Sequence, residues 1–109
     1  MKANELRIGN WVNFMEDDTR FKVGAIEADG IGVSNAHEST WIELDQFGGI
    51  KLTPEILEKC KIKPNDYFRE GEGVYWFTGH NPEVPIQYVH QLQNLFFILK
   101  GQELQIDMP

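Results

Sequence analysis

The sequence predicts an α+β fold: a small, curved antiparallel β-sheet of the SH3-like barrel kind, with an open meander as the rival arrangement, followed by a helix, a β-hairpin and a second helix. Three observations carry this expectation. Residues 6–44 hold four short stretches of β character separated by tight-turn signals. Thr53-Pro54-Glu55 has the form of a helix start, and Val89 to Lys100 is a longer helical stretch closed by Gly101. The length, 109 residues with 41% hydrophobic and 12% aromatic side chains, suits one domain with enough apolar material for a core. The expected organisation is a single domain, 1–109, with an N-terminal β lobe (1–47) and a C-terminal α/β lobe (50–109).

The first strand lies within Leu6 to Met15, where alternation begins at Ile8 and Gly9-Asn10 marks a bulge or sharp bend. Glu16-Asp17-Asp18-Thr19 is a polar turn. In the second strand, Arg20 to Ala28, period-two alternation points Phe21, Val23 and Ala25 towards a core, Ile26 being ambiguous, and Arg20, Lys22 and Gly24 outward. Asp29-Gly30 is the strongest hairpin signal in the chain, because glycine readily adopts the positive φ of a tight turn. Ile31 to Val33 returns as a third strand, and after the polar loop Ser34 to Ser39 a fourth runs from Thr40 to Leu44. Residues 45–51 read as a connector whose Gly48-Gly49 is the one plausible lobe boundary.

Thr53 is the expected N-cap of the first helix. Pro54 stands at the first helical position, where its missing N–H is harmless, and Glu55 lies near the positive end of the dipole. This helix runs through Cys60 and stops before Pro64. Phe68 and Val74 to Thr78 read as strands of a hairpin around Glu70-Gly71-Glu72-Gly73, Pro85 to Gln87 is extended, and Leu104 to Ile106 is a candidate final strand.

Charge and composition exclude several functional classes. Seventeen acids against ten bases give a net charge of −7, and nucleic-acid binding draws its non-specific affinity from clustered Lys and Arg, so a nucleic-acid partner is unlikely. Residues 1–50 are the acidic half, with nine acids and four bases against eight and six in residues 51–109. Lys51, Lys59, Lys61 and Lys63 form at most a local basic patch and read best as a solvated helix end. The longest apolar run, Leu95 to Leu99, is far short of the roughly 20 residues of a membrane span, and the first residues have no apolar leader core. The expectation is a soluble, cytoplasmic protein with no membrane partner. The lone cysteine, Cys60, leaves no intrachain disulfide framework or Cys-rich zinc site.

Three segments together resemble a known group. The opening Lys2-Ala3-Asn4-Glu5-Leu6-Arg7-Ile8-Gly9-Asn10-Trp11-Val12, the central Leu52-Thr53-Pro54-Glu55-Ile56-Leu57-Glu58-Lys59-Cys60 and the closing Val89-His90-Gln91-Leu92-Gln93-Asn94-Leu95-Phe96-Phe97 with Gly101-Gln102-Glu103-Leu104 are similar to small uncharacterised proteins of phages, prophages and mobile elements of Bacteroides and related gut bacteria. The resemblance leaves out residues 13–40 and 62–86. It implies a setting inside an infected or lysogenic bacterial cell and carries no activity, cofactor or catalytic residue.

The second helix is the most informative stretch for function. At about 100° per residue, Tyr88, Leu92, Leu95, Phe96 and Leu99 share a core-facing stripe, Phe97 falls opposite with His90, Gln93 and Asn94, and Ile98 lies between. A last turn that is apolar nearly all round is either sandwiched within the fold or docked on a partner, the sandwich being the commoner case. In the docked case Phe97 and Ile98 form the centre of a homodimer or partner interface with His90 and Asn94 as its polar rim. Aromatic residues point the same way. Trp11, Trp41, Trp76, Phe14, Phe21, Phe68, Phe77, Tyr67 and Tyr75 exceed what a minimal core needs, and alternation in Tyr75-Trp76-Phe77 sends a ring away from the core unless helices cover both faces. Tyr75 and Phe77 therefore join the interface candidates.

Catalytic signals are weak. His37, His80 and His90 form no HxH or HxxxH pair and are better read as solvated or hydrogen-bonded histidines. Glu70 and Glu72, with Asp66, place three carboxylates near one hairpin, but paired-carboxylate chemistry also needs a deep cleft, and a solvated turn is the simpler account. Glu16-Asp17-Asp18 lacks the alternating spacing that wraps calcium. No GxSxG or phosphate loop is present, and Cys60 falls with Ile56 and Leu57 on the apolar side of its helix. No catalytic, cofactor-binding or metal residue is assigned, and no cofactor is expected. The leading expectation is a non-catalytic protein-binding module. Its alternatives are an acidic inhibitor of a host nucleic-acid-binding defence enzyme, which needs Glu16, Asp17, Asp18, Glu27, Asp29, Glu38 and Glu43 on one face, and a small hydrolase, which needs His80 or His90 beside Glu70 or Glu72 in a pocket.

Overall fold

The computed structural model describes residues 5–60, 68–71, 74–77, 84–104 and 106, with residues 68–71, 77 and 84 described by backbone alone. It is an α+β structure that divides into two compact units, Met1–Ile50 and Lys51–Pro109.

The first unit is a five-stranded antiparallel sheet made of β1 (Trp11–Phe14), β2 (Thr19–Glu27), β3 (Gly30–Ser34), β4 (Ser39–Glu43) and β5 (Phe47–Gly49), in the order β4-β3-β2-β1-β5. β5 lies inside the stretch that reads as a connector. Its pairing with β1, Phe14 opposite Phe47 and Val12 opposite Gly49, links segments more than 30 residues apart, beyond the reach of local alternation. The connection from β4 to β5 constrains the sheet's shape. Residues 44–46 join strands four places apart, which in a flat sheet would be about 19 Å at 4.7–4.9 Å per strand. The four Cα–Cα steps from Glu43 to Phe47 reach at most about 14 Å. The sheet must therefore curl so that its outer strands approach, although β4 and β5 are not hydrogen-bonded neighbours and the sheet is not closed. Gln46 holds the bend: its N–H donates to the Glu43 carbonyl at 3.0 Å, its side-chain oxygen accepts from the Glu43 N–H at 3.1 Å, and its own carbonyl accepts from the Met15 N–H at 2.9 Å.

The concave side is filled by Leu6, Val12, Phe21, Val23, Ile31, Val33, Ile42 and Phe47, all buried, with Phe14, Ile26 and Leu44 packed against them. One inward assignment reverses. Register shifts between Val23 and Ala25, because Val23 pairs with Val33 and Ala25 with Gly32. The bulge at Gly24 consumes one residue, so Ala25 turns out to solvent and Ile26 turns in. Before β1 the chain bends at Gly9, whose φ of +99° is a region that favours glycine. Asn10 behind it is fully buried; its side-chain oxygen accepts from the Arg7 N–H at 2.6 Å and its carbonyl from the Val23 N–H at 2.8 Å.

The second unit contains α1 (Pro54–Lys59), a three-stranded antiparallel sheet of β6 (Phe68–Gly71), β7 (Val74–Phe77) and β8 (Val84–Ile86) in that order, and α2 (Val89–Lys100). α1 starts as its residues dictate, with the Thr53 hydroxyl accepting from the Ile56 N–H at 3.2 Å and Pro54 in the first turn. β8 takes up the extended Pro85-Ile86 and pairs with β7, Tyr75 opposite Ile86. A bridge between Lys51 and Tyr88 and a 2.9 Å bond from the Leu52 N–H to the Gln87 carbonyl tie the approach to α1 to the approach to α2. α2 opens with the Gln91 side-chain oxygen accepting from the N–H groups of Gln87 (2.8 Å) and Tyr88 (3.0 Å), and closes at Gly101 with φ +68°. Leu104 and Ile106 belong to no strand, and Gln105 lies outside the described residues. Among the described residues no helix is long and apolar enough to cross a membrane.

Candidate functional site

α2 is covered at its beginning and bare at its end. Val89, His90, Leu92 and Gln93 are buried, whereas Phe97, Ile98 and Leu99 are 39%, 77% and 53% exposed. A helical wheel assigns faces and is blind to how far along its axis a helix is packed. Leu99, expected in the core stripe, is therefore exposed, and His90, expected on a polar rim, is only 2% exposed. The His90 ring stacks on Tyr88, with centroids 5.8 Å apart and planes 13° from parallel. Among the other interface candidates, Asn94 is half-buried beside the bare turn. Tyr75, expected to offer a ring outward, is buried at 3% because central strand β7 turns it to the same side as the buried Ile86. The side chain of Phe77 lies outside the described residues.

The carboxylate and histidine candidates are not brought together by what is described. His80, Asp66, Glu72, Tyr67, Lys61, Lys63 and the Glu70 side chain lie outside the described residues. His37 sits exposed in the β3–β4 turn, its backbone N–H donating to the Asn35 side-chain oxygen at 2.8 Å. In the β1–β2 turn, the Asp17 carboxylate accepts from the Thr19 hydroxyl (2.6 Å) and backbone N–H (3.1 Å), and these bonds hold its carboxyl below the usual range. Asp18, at φ +58°, accepts from the Asn13 side-chain amide at 3.0 Å. Among the described residues no group of three His, Cys, Asp or Glu side chains is arranged to hold a metal ion. Burial pushes the Cys60 thiol up to about 11, the setting of an inert packing residue.

The acidic residues of the first unit separate into two groups. Glu16, Asp17 and Asp18 fill the β1–β2 turn, and Glu38 lies in the β3–β4 turn at the same end, where the Asn35 amide reaches the Arg20 carbonyl. Glu27, Asp29, Glu43 and Asp45 gather around the β2–β3 turn at the other end, where Glu27 pairs with Gly30 and Gly30 with Glu43. The nine residues of β2 hold these ends about 26 Å apart.

The convex face carries a feature that sequence spacing does not single out. Trp41, 43% exposed, stands opposite Gly32 and leans its indole over Gly30. A β-carbon at position 30 would come within 2.7 Å of the indole Cζ2. The indole therefore lies on a floor without side chains, between Glu27 and Glu43. The visible signal was an outward Trp in a strand facing glycines; the missing one was the register that aligns them. Comparison with protein-family models, with curated proteins and with solved structures finds no match to this chain.

Proposed function

We propose that this chain is a non-catalytic protein-binding module whose contact surface is the last turn of α2. The observation that carries this reading is the run Phe97-Ile98-Leu99, three consecutive large apolar side chains 39%, 77% and 53% exposed at the end of a helix whose first turns are packed. Contiguous exposed apolar surface is uncommon on a small protein and marks interaction sites, and Phe97 and Ile98 supply the centre such an interface needs. The resemblance of the chain's two ends and centre to phage and mobile-element proteins supports a cytoplasmic role in a bacterial host. The meander of four strands with β5 returning to β1, and the short link that curls it, support an SH3-like wrap for the first unit.

An acidic inhibitor of a nucleic-acid-binding enzyme finds less support, because such mimicry needs one continuous charged face and these carboxylates divide between the two ends of the sheet. The test of the leading reading is light scattering at two protein concentrations, on the wild type and on Phe97→Asp, with capture of proteins from the native host in parallel. Loss of a concentration-dependent mass, or of a captured partner, in Phe97→Asp is the expected result. A monomer at both concentrations together with identical capture by the variant would overturn it.

A further inference from the structure

The first unit carries a second surface, independent of α2. The cross-strand row Glu27–Gly30–Glu43 places two carboxylates on either side of a glycine, about 9.6 Å apart at the backbone. Trp41 shares the face with Glu43, two residues along β4, and its indole covers Gly30 between them. Asp29 and Asp45 stand at the same end of the sheet, both exposed, and no Lys or Arg lies between residues 23 and 50. The nearest base on the face, Lys22, is paired with Ser34 at the far end of β3. The side chains of Glu27, Trp41 and Glu43 make no hydrogen bond or ion pair with any described residue.

Each part of this arrangement favours a cation. An indole face attracts an ammonium or guanidinium through its quadrupole. The two carboxylates repel one another across the glycine, and a single positive group over the ring sits close to both. The indole rests on Gly30 and stays 43% exposed, so a planar group can stack on its solvent side, which suits guanidinium better than a compact ammonium. A neutral sugar would also stack on the ring, but it gives no reason for carboxylates on both sides or for a stretch from residue 23 to residue 50 without Lys or Arg.

We propose that Trp41, with Glu27 and Glu43 flanking it, is a docking site for an arginine-bearing segment of a partner protein. The site is built on strands held by the ladder of β2, β3 and β4, so it is formed before the ligand arrives. Recognition is of one charged side chain on an extended basic segment.

The test is an NMR titration of the indole N–H signals, with the Trp41 peak assigned by Trp41→Phe, using the blocked peptide acetyl-Gly-Arg-Gly-Arg-Gly-amide as probe. Its citrulline counterpart, of the same shape without the charge, and a neutral disaccharide serve as controls. The Trp41 peak should move saturably with the arginine peptide alone. Binding should weaken about three- to tenfold in Glu27→Gln/Glu43→Gln, as expected for loss of two exposed ion pairs, and should fall with added salt. Both substitutions are at exposed positions and leave the sheet intact, so an unchanged spectrum outside the site verifies the fold. No shift with the arginine peptide, an equal shift with citrulline or the disaccharide, or equal affinity in the double variant would overturn the proposal. Phe97→Asp should leave this titration unaltered, which separates it from the α2 reading.

Discussion

Gly30→Ala probes the packing that shapes the outer face of the first unit. An added β-carbon would lie 2.6 Å from the Ile42 carbonyl oxygen and 2.7 and 2.8 Å from the Trp41 Cζ2 and Cε2 atoms, where comfortable carbon contacts are about 3.5–4.0 Å. The indole can swing aside. The Ile42 carbonyl cannot move without disturbing the ladder in which Gly30 faces Glu43 and Ile31 faces Ile42. Overpacking of this kind costs about 1–3 kcal/mol, and the smaller unfolded-state entropy of alanine offsets about 0.4–1 kcal/mol; the net spans about 0–2.6 kcal/mol, and the fixed Ile42 carbonyl places Gly30→Ala in its middle part, at a loss of about 1–2 kcal/mol. With an unfolding entropy of about 2.1 cal/mol/K per residue, a cooperative unfolding of all 109 residues converts this into a fall in Tm of about 4–9 °C. Melting followed by circular dichroism reads the change, and tryptophan emission should shift as Trp41 is displaced. Gly24→Ala is the matched control, since the nearest atom to its added carbon would be 3.9 Å away, and it should melt no lower than the wild type by more than about 1 °C, within what a surface substitution does. A Gly30→Ala protein as stable as the wild type, or a Gly24→Ala protein equally weakened, would refute the steric reasoning.

Two further predictions concern buried groups. Asn10→Ala removes the acceptor held 2.6 Å from the Arg7 N–H at a fully buried position, which should cost about 1–3 kcal/mol and appear as a lower urea midpoint at constant slope. Cys60, pushed up to about 11 from an ordinary 9.0, should react slowly with a disulfide reagent at pH 8 in the folded protein and rapidly after denaturation. Because the unfolded thiol ionises first, its contribution to stability is complete below pH 9 and is lost as pH rises towards 11. Prompt labelling of the folded protein at pH 8 would contradict the burial of this thiol.

Much of the local structure was legible because its causes are local. Thr53-Pro54 caps α1 through the hydroxyl three residues before the N–H it accepts from, and Gly101 ends α2 in the left-handed conformation that glycine alone takes cheaply. The Asp29-Gly30 signal marked the place of the β2–β3 turn but not its mechanism: the turn residues are Ala28 and Asp29, while Gly30 has no positive φ and already pairs with Glu27 as the first residue of β3. The apolar last turn of α2 could likewise be named from residue order. What residue order could not settle were matters of which surface meets which. Gly24 reads as an outward strand residue, and only pairing with β3 showed that the phase reverses there, turning Ala25 out and settling the ambiguous Ile26 inward. Phe47 gave no strand signal in a three-residue segment whose partner lay over 30 residues away. His90 and Leu99 changed places between core and solvent because packing along a helix axis is not written in its 3.6-residue period.

The sequence by itself determined the α+β class, the order of the elements apart from β5, the helix ends at Thr53 and Gly101 and the apolar character of the last helical turn, since propensity, capping and turn chemistry act over a few residues. Tertiary structure alone decided that a fifth strand joins the curved sheet beside β1 and that Glu27, Gly30, Trp41 and Glu43 align on one face. Those depend on strand register, and register is a property of pairs of segments that meet only when the chain is folded.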